Sequence, residues 1–269
     1  VWVELARRHL DLEGLWPLLE PVPPDPGLTD PIGALLGPPP SGPSLPVAIA
    51  ADAAFHFRYP ETTELLEAAG LEPVSWSPLA DEPLPAEARA ILLPGGYPEL
   101  HAEHLGSSQR SLGDLAVAAA QNVPIVAECG GLLLLGSSLE DGAGRAHAMA
   151  GVLPFQARRG ALSLGYREAT AVADGLLVRR GERYQGHEFH RWQIRILGED
   201  TPEMPVDGQL WNLEGWGAPT RLEGWTGPAL HASWLHLHWA GSPRLVKRLA
   251  ARLRATDAQS SGSGGLSDG

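Results

Sequence analysis

Between Val47 and Ala127 short apolar runs alternate with amphipathic stretches. The runs Val47–Ala51, Ala90–Leu93 and Ile125–Ala127 are apolar throughout, as strands covered on both faces are, and Pro73–Trp76 reads as a further strand. Between them, the spacing predicts a helix over Glu61–Gly70 that ends in a C-cap glycine. It predicts another over Ser107–Ala120, burying Leu112, Leu115, Ala116 and Ala119. Strands alternating with helices imply an α/β fold, a parallel sheet with helices on both faces. Sites in such sheets lie at the carboxyl ends of the strands, where this reading places both Gly95-Gly96 and Cys129.

The pattern differs on either side of this region. From Met149 to Trp239 the segments are shorter and punctuated by glycine, which predicts antiparallel strands and hairpins, a β-rich C-terminal portion. A last helix follows, with Ser242 as N-cap, Pro243 in its first turn and Leu245, Leu249 and Leu253 on its apolar face. At the other end Leu5, Leu10, Leu15, Leu18 and Leu19 have helical spacing, and ten prolines then fall between Pro21 and Pro46. Proline lacks the N–H that helices and central strands need, so this stretch reads as a linker. The expected organisation is a helical segment over 1–20, a linker over 21–45, one domain over 46–255 and a disordered Ser/Gly/Asp tail over 256–269. A linker so near the start suggests a preceding domain.

Composition narrows the class. At 269 residues and 43% hydrophobic the chain can bury a sizeable core, and its formal charge of −12 without a Lys/Arg stripe argues against a nucleic-acid partner. No apolar run reaches the roughly 18 residues of a membrane span, and no basic start with an apolar core marks a signal peptide. A single cysteine excludes an intrachain disulfide and fits a reducing compartment, so a cytoplasmic location is expected.

That cysteine, Cys129, stands in Pro124-Ile-Val-Ala-Glu-Cys-Gly-Gly-Leu-Leu-Leu-Leu-Gly136, between an apolar β-prone run and a helical one. A residue at such a strand-to-helix corner is pushed out of the sheet end, and crowding demands small residues two positions either side. Ala127 and Gly131 meet that demand. A thiol held there, with the following N–H groups turned to the same space, is suited to attack a carbonyl carbon. The competing reading is a buried cysteine acting as a small hydrophobe.

A cysteine nucleophile needs a base or an electropositive site. Ten histidines are available, and His231-Ala-Ser-Trp-Leu-His-Leu-His-Trp239 holds the leading candidates. Read as one strand, it puts Ser233, Leu235, Leu237 and Trp239 on one face and Trp234, His236 and His238 on the other. The two histidines could act as base and orienter, or as a zinc pair with His187, His190, His101 or His104 as further ligands. No H-E-x-x-H spacing supports the metal alternative. In Pro94-Gly-Gly-Tyr-Pro-Glu-Leu100 two glycines after a strand let the backbone approach a ligand and, with the N–H of Gly130, form an oxyanion hole. No G-x-x-x-x-G-K-[ST] phosphate loop occurs.

Six segments in order, Ala53–Pro60, Leu93–Leu100, Ala127–Gly131, Leu162–Arg167, Gly186–His190 and Ala232–Trp239, closely resemble the glutamine amidotransferase domain of the cobyrinate a,c-diamide synthase family. The resemblance covers about Pro46 to Trp239 and implies a class I glutamine amidotransferase-like, flavodoxin-like sheet. It implies that Cys129 attacks the glutamine side-chain amide to form a γ-glutamyl thioester, with His236 as the proton carrier. Gly95, Gly96 and Gly130 would bind the oxyanion and glutamine, and His238 is the candidate orienter, standing where other class I amidotransferases have glutamate. No cofactor is implied for this chain itself. The family's other half is a P-loop synthetase that uses ATP and Mg²⁺ to activate corrin carboxylates, so ammonia made here would pass to a synthetase domain or subunit holding cobyrinate. Nickel sirohydrochlorin and cobyric acid amidotransferases, or a non-catalytic docking domain, are the alternatives, and an oligomer is compatible with all of them.

Overall fold

The structure is a computed structural model that describes residues 1–19, 31–197 and 208–263. Its helices are α1 (Trp2–His9), α2 (Leu12–Leu15), α3 (Pro31–Leu36), α4 (Pro60–Ala68), α5 (Ala102–Ser107), α6 (Gln109–Ala120), α7 (Gly130–Leu135) and α8 (Arg244–Ser263). The strands of the first half are β1 (Leu45–Ala50), β2 (Leu71–Trp76), β3 (Ala90–Leu93), β4 (Ile125–Glu128), β5 (Ser138–Glu140) and β6 (Ala146–Ala148). Those of the second half are β7 (Phe155–Ala171), β8 (Arg183–Ile196), β9 (Gln209–Gly215), β10 (Ala218–Gly227), β11 (Leu230–Ser233) and β12 (His236–Leu237). Among the described residues no helix is long and apolar enough to cross a membrane.

All twelve strands belong to one sheet. The order β2-β1-β3-β4-β11 is parallel throughout, the doubly wound order in which strand direction of growth reverses between β1 and β3. Successive strand residues feed opposite faces. Ile91, Leu93, Ile125 and Ala127 pack with Leu112 and Leu115 of α6 and with all four leucines of α7. Ala90, Leu92 and Val126 pack with Leu65 and Leu66 of α4 and with Leu245, Val246, Leu249, Ala250 and Leu253 of α8. These two layers explain the unbroken apolar runs of β1, β3 and β4.

Beyond β11 the sheet continues antiparallel through β10, β9, β7 and β8 to β12. Because β12 follows β11 directly in the chain, this half must curl round until its last strand returns beside the parallel half. The α/β fold with a β-rich continuation is therefore as the pattern predicts, but several details differ. The glycines of the second half do not cut it into short strands: β7 and β8 form a long hairpin, and its register shifts once, between Arg159 and Ser163. The expected helix over Ser107–Ala120 begins at Gln109, is preceded by α5, and buries Ser111 and Ala118, leaving Ala116 and Ala119 half-buried.

The stretch read as a linker holds α3, whose Pro31 occupies the first helical position, where a missing N–H costs nothing. Ile32 and Leu36 pack against the α4/α8 layer. At the other end α8 runs to Ser263, past Thr256 where the composition predicts a tail. Residue 20 of the helical segment, residues 21–30 of the linker and 264–269 of the tail lie outside the described residues. The leucines of α1 and α2 have helical spacing but bury nothing.

Candidate active site

β4 delivers Cys129 to the carboxyl edge of the sheet, and α7 starts at the next residue. Cys129 has φ +48° and ψ −102°, a conformation that costs a non-glycine residue about 1–3 kcal/mol and persists only where neighbours enforce it. Two neighbours do so here. The Cys129 N–H donates to the Ser233 carbonyl at 2.8 Å, and on the far side Gly131 lies so close to β3 that a Cβ would stand 2.0 Å from the Leu93 carbonyl oxygen. Ala127 sits between Leu93 and Ala232 in the ladder and is fully buried. The small residues at 127 and 131 are thus demanded by packing on both sides of the corner.

His236 meets the corner from β12. Its imidazole is 4% exposed, and Nδ1 faces Glu128 Oε2 at 3.8 Å. Burial opposes a charge on the ring, but the adjoining Cys129 first and Glu128 second outweigh it and raise its pKa. A raised imidazolium beside the thiol stabilises the thiolate. His187 of β8, opposite His236 in the ladder, stacks on its ring with centroids 4.8 Å apart. The pKa of His187 is lowered, by burial first and by His236 second, so it stacks as the neutral ring. Phe57 closes another side edge-on, also at 4.8 Å.

The Gly95-Gly96 turn completes the corner. A Cβ on Gly95 would stand 2.4 Å from His236 Cε1, so the glycine is what lets the ring reach the sheet edge. The Phe57 N–H donates to the Gly95 carbonyl and the Tyr97 N–H to the Ala54 carbonyl, both at 3.0 Å, clamping the loop after β1 onto this turn. Asp52 fixes that loop by accepting from the Ala54 N–H at 2.8 Å and the Leu79 N–H at 2.9 Å. The Gly130 Cα faces Gly96 so closely that a Cβ would lie 2.8 Å from the Gly96 nitrogen. The N–H groups of Gly96 and Gly130 have no backbone acceptor among the described residues. A pocket of about 150 Å³ opens over Cys129 between Gly96, Tyr97, Leu133, Phe189 and Trp234. The Phe189 carbonyl is 3.8 Å from Sγ.

The structure therefore brings Cys129, His236, Gly95, Gly96 and Gly130 together at one sheet edge. His238 is not brought to them: it is exposed and its ring packs edge-on against Tyr59 at 4.7 Å. The single strand expected over 231–239 is two strands interrupted at Trp234-Leu235, so the alternation does not put His236 and His238 on one face. Of His187, His190, His101 and His104, His187 alone joins His236, as the stacked ring. His190 stacks on Trp234 at 3.9 Å and approaches Glu188, while His101 and His104 belong to the start of α5. Among the described residues no three His, Cys, Asp or Glu side chains are placed to hold a metal ion. Two groups escaped the sequence reading. Strand alternation is the sequence signal for Glu128, turning it to the Val126 face. The pairing of His187 with His236 depends on register between distant strands and left no signal.

A cysteine elbow with an adjacent imidazolium and two free N–H groups, at the carboxyl edge of a doubly wound sheet, defines a class I glutamine amidotransferase. The chain belongs to the CobB/CobQ-like glutamine amidotransferase domain family, which matches residues 46–244. Among its relatives, the cobyrinate a,c-diamide synthase of Synechococcus sp. is 39% identical over 206 residues, 76% of this chain and 43% of that protein. The hydrogenobyrinate a,c-diamide synthase of Streptomyces coelicolor is 40% identical over 214 residues, 78% of this chain and 40% of that one. The cobyrinate a,c-diamide synthase of Gloeobacter violaceus is 38% identical over 261 residues, 93% of this chain and 51% of that one. The chain thus spans about half the length of these relatives or less. The fold is also that of PurLQS from Thermotoga maritima, with a TM-score of 0.53 at 14% identity, covering 79% of this chain and 99% of that one.

Proposed function

We propose that this chain hydrolyses glutamine at Cys129 and supplies the ammonia to a synthetase that amidates the a and c carboxylates of a corrin in cobalamin synthesis. The observation that carries the first part is the strained Cys129 facing His236 beside two unused N–H groups. The thiolate attacks the amide carbon of the glutamine side chain, and the oxygen takes the negative charge toward the N–H groups of Gly96 and Gly130. As the C–N bond breaks, His236 passes its proton to the departing nitrogen and ammonia leaves. A γ-glutamyl thioester remains on Sγ. His236, now neutral, takes a proton from water; the hydroxide adds to the thioester, and glutamate departs as the C–S bond breaks.

The acceptor rests on the relatives, named for cobyrinate and hydrogenobyrinate. ATP and Mg²⁺ would be held outside this chain, whose sequence has no phosphate loop, so no ATP-dependent step is assigned to its residues. Cys129→Ala should fold normally, since the position needs only a small side chain, and should release no glutamate from glutamine. Retained glutamate release in that variant would overturn the reading. Mixed with the synthetase half of a relative, corrin and Mg-ATP, the intact chain should permit glutamine-dependent amidation where Cys129→Ala permits only ammonia-dependent amidation.

A further inference from the structure

The family position that would orient His236, two residues further on, is His238, and that ring is turned away to Tyr59. A buried catalytic imidazole with no partner on its second nitrogen would be free to rotate or to adopt the wrong tautomer, and the loss of such a partner is costly. His236 Nδ1 is buried and has no hydrogen-bond partner among the described residues. The carboxylate it faces is that of Glu128, the residue immediately before the nucleophile.

The setting of Glu128 is unusual for a carboxylate. It projects from the last position of β4 into a pocket lined by Ile49, Phe57, Leu92, Val126 and Leu237. Its other oxygen accepts from the Trp239 indole N–H at 3.3 Å. Trp239 thereby fixes one oxygen and leaves the other aimed at His236. At 3.8 Å the pair is an ion contact, and a shift of several tenths of an ångström makes it a hydrogen bond. Catalytic hydrogen bonds often close by such amounts only when substrate binds.

We infer that Glu128 is the positioning residue for His236, supplying from the position before the nucleophile the carboxylate that class I enzymes elsewhere take from two residues beyond the histidine. The triad is then Cys129, His236 and Glu128, with two of its members adjacent in the chain. Strand geometry makes this possible. Cys129 is bent out of the sheet at positive φ while Glu128 still obeys the strand alternation, so neighbouring side chains reach the two edges of one imidazole. Neutral His187 covers the ring face and adds no competing charge. The remaining ionisable groups near the pair, Arg58 and Tyr59, come from the loop after β1.

The inference rests on the glutaminase reading but can be tested apart from it. Glu128→Gln keeps size and removes the charge; Glu128→Asp keeps the charge and withdraws it from Nδ1. Both should lose kcat for glutamate release, Gln by on the order of 10²-fold, with KM for glutamine little changed. Alkylation of Cys129 by iodoacetamide needs no glutamine. In Glu128→Gln the imidazolium is weaker, so the proton shared by the pair moves toward sulfur. The alkylation rate should fall several-fold at neutral pH and rejoin the wild-type rate at alkaline pH, where the thiol ionises without help. A rate lowered equally at every pH would mean that Glu128 only shapes the pocket, and unchanged profiles in both variants would equally overturn the proposal. If the wild type released no glutamate, the glutaminase reading would fall while the alkylation profile still decided the role of Glu128.

Discussion

At the scale of the residue, the proposed chemistry depends on an imidazole held between the Cys129 thiol and the Glu128 carboxylate. In the proposed reaction His236 supplies the proton that ammonia needs on leaving, and its charge favours the nucleophilic form of Cys129 before that step. His238, two residues away, is exposed and touches neither partner. His236→Ala should therefore lower kcat for glutamate release by at least about 10²-fold, while His238→Ala stays within a few-fold of wild type. Equal losses in steady-state kinetics would return His238 to the site. That Cys129 and His236 would meet at one sheet edge was legible in the sequence, Cys129 because it sits in a local pattern that physical crowding dictates and His236 through the family resemblance. The small residues flanking Cys129 answer the carbonyl of Leu93 on one side and the packed strand Ala232 on the other. The orienting group was not legible. Nothing distinguishes Glu128 from any polar residue at a strand end until His236 is seen opposite it.

At the scale of the element, what positions His236 is the break between β11 and β12. The sequence Trp234-Leu-His-Leu-His-Trp239 alternates as one strand would, but a buried carboxylate interrupts it. Glu223 of β10 accepts from the Ser233 hydroxyl at 2.6 Å and from the Trp234 N–H at 2.8 Å, and the Ser233 hydroxyl oxygen accepts from the Leu235 N–H at 2.9 Å. Those bonds withdraw the backbone from the ladder and send the chain across to β8, where His236 meets His187. Only a contact between residues far apart in sequence produces this break, so periodicity could not predict it. Burial pushes the Glu223 carboxyl up to about 7, against the opposing pull of those two donors. Its pKa in the unfolded chain is about 4.3. Between those values the folded state binds the extra proton, so stability is full below the unfolded pKa and declines as pH rises toward 7. The decline amounts to about 4 kcal/mol at most. Glu223→Gln should remove this slope: the melting temperature of the wild type should fall from pH 5 to pH 8 relative to the variant. Parallel melting curves across that range would show that Glu223 remains ionised when folded.

At the scale of the molecule, one sheet does two jobs. Its parallel half presents the ends of β1, β3, β4 and β11 to a shared edge, and everything chemical lies in the residues just beyond those ends. Its antiparallel half curls back to press β8 and β12 over the same edge, bringing the Phe189 carbonyl and His187 to the site. The parallel half was legible because strands buried on both faces have unmistakable apolar runs. The curl was not, because half-exposed strands broken by glycine look like short hairpins. In the structure those glycines lie within long strands, as Gly165 does in β7 and Gly186 in β8, where the latter makes room for the His236 carbonyl. The proposed reaction turns on one covalent event, attack of Cys129 on the side-chain carbonyl of glutamine. A glutamine analogue with an electrophilic carbon in place of the amide, followed by mass spectrometry of the intact and digested chain, reads that event directly. One adduct on Cys129, prevented by excess glutamine and much slower in His236→Ala, is the predicted result. An adduct elsewhere, or labelling of Cys129 that glutamine does not prevent, would contradict it.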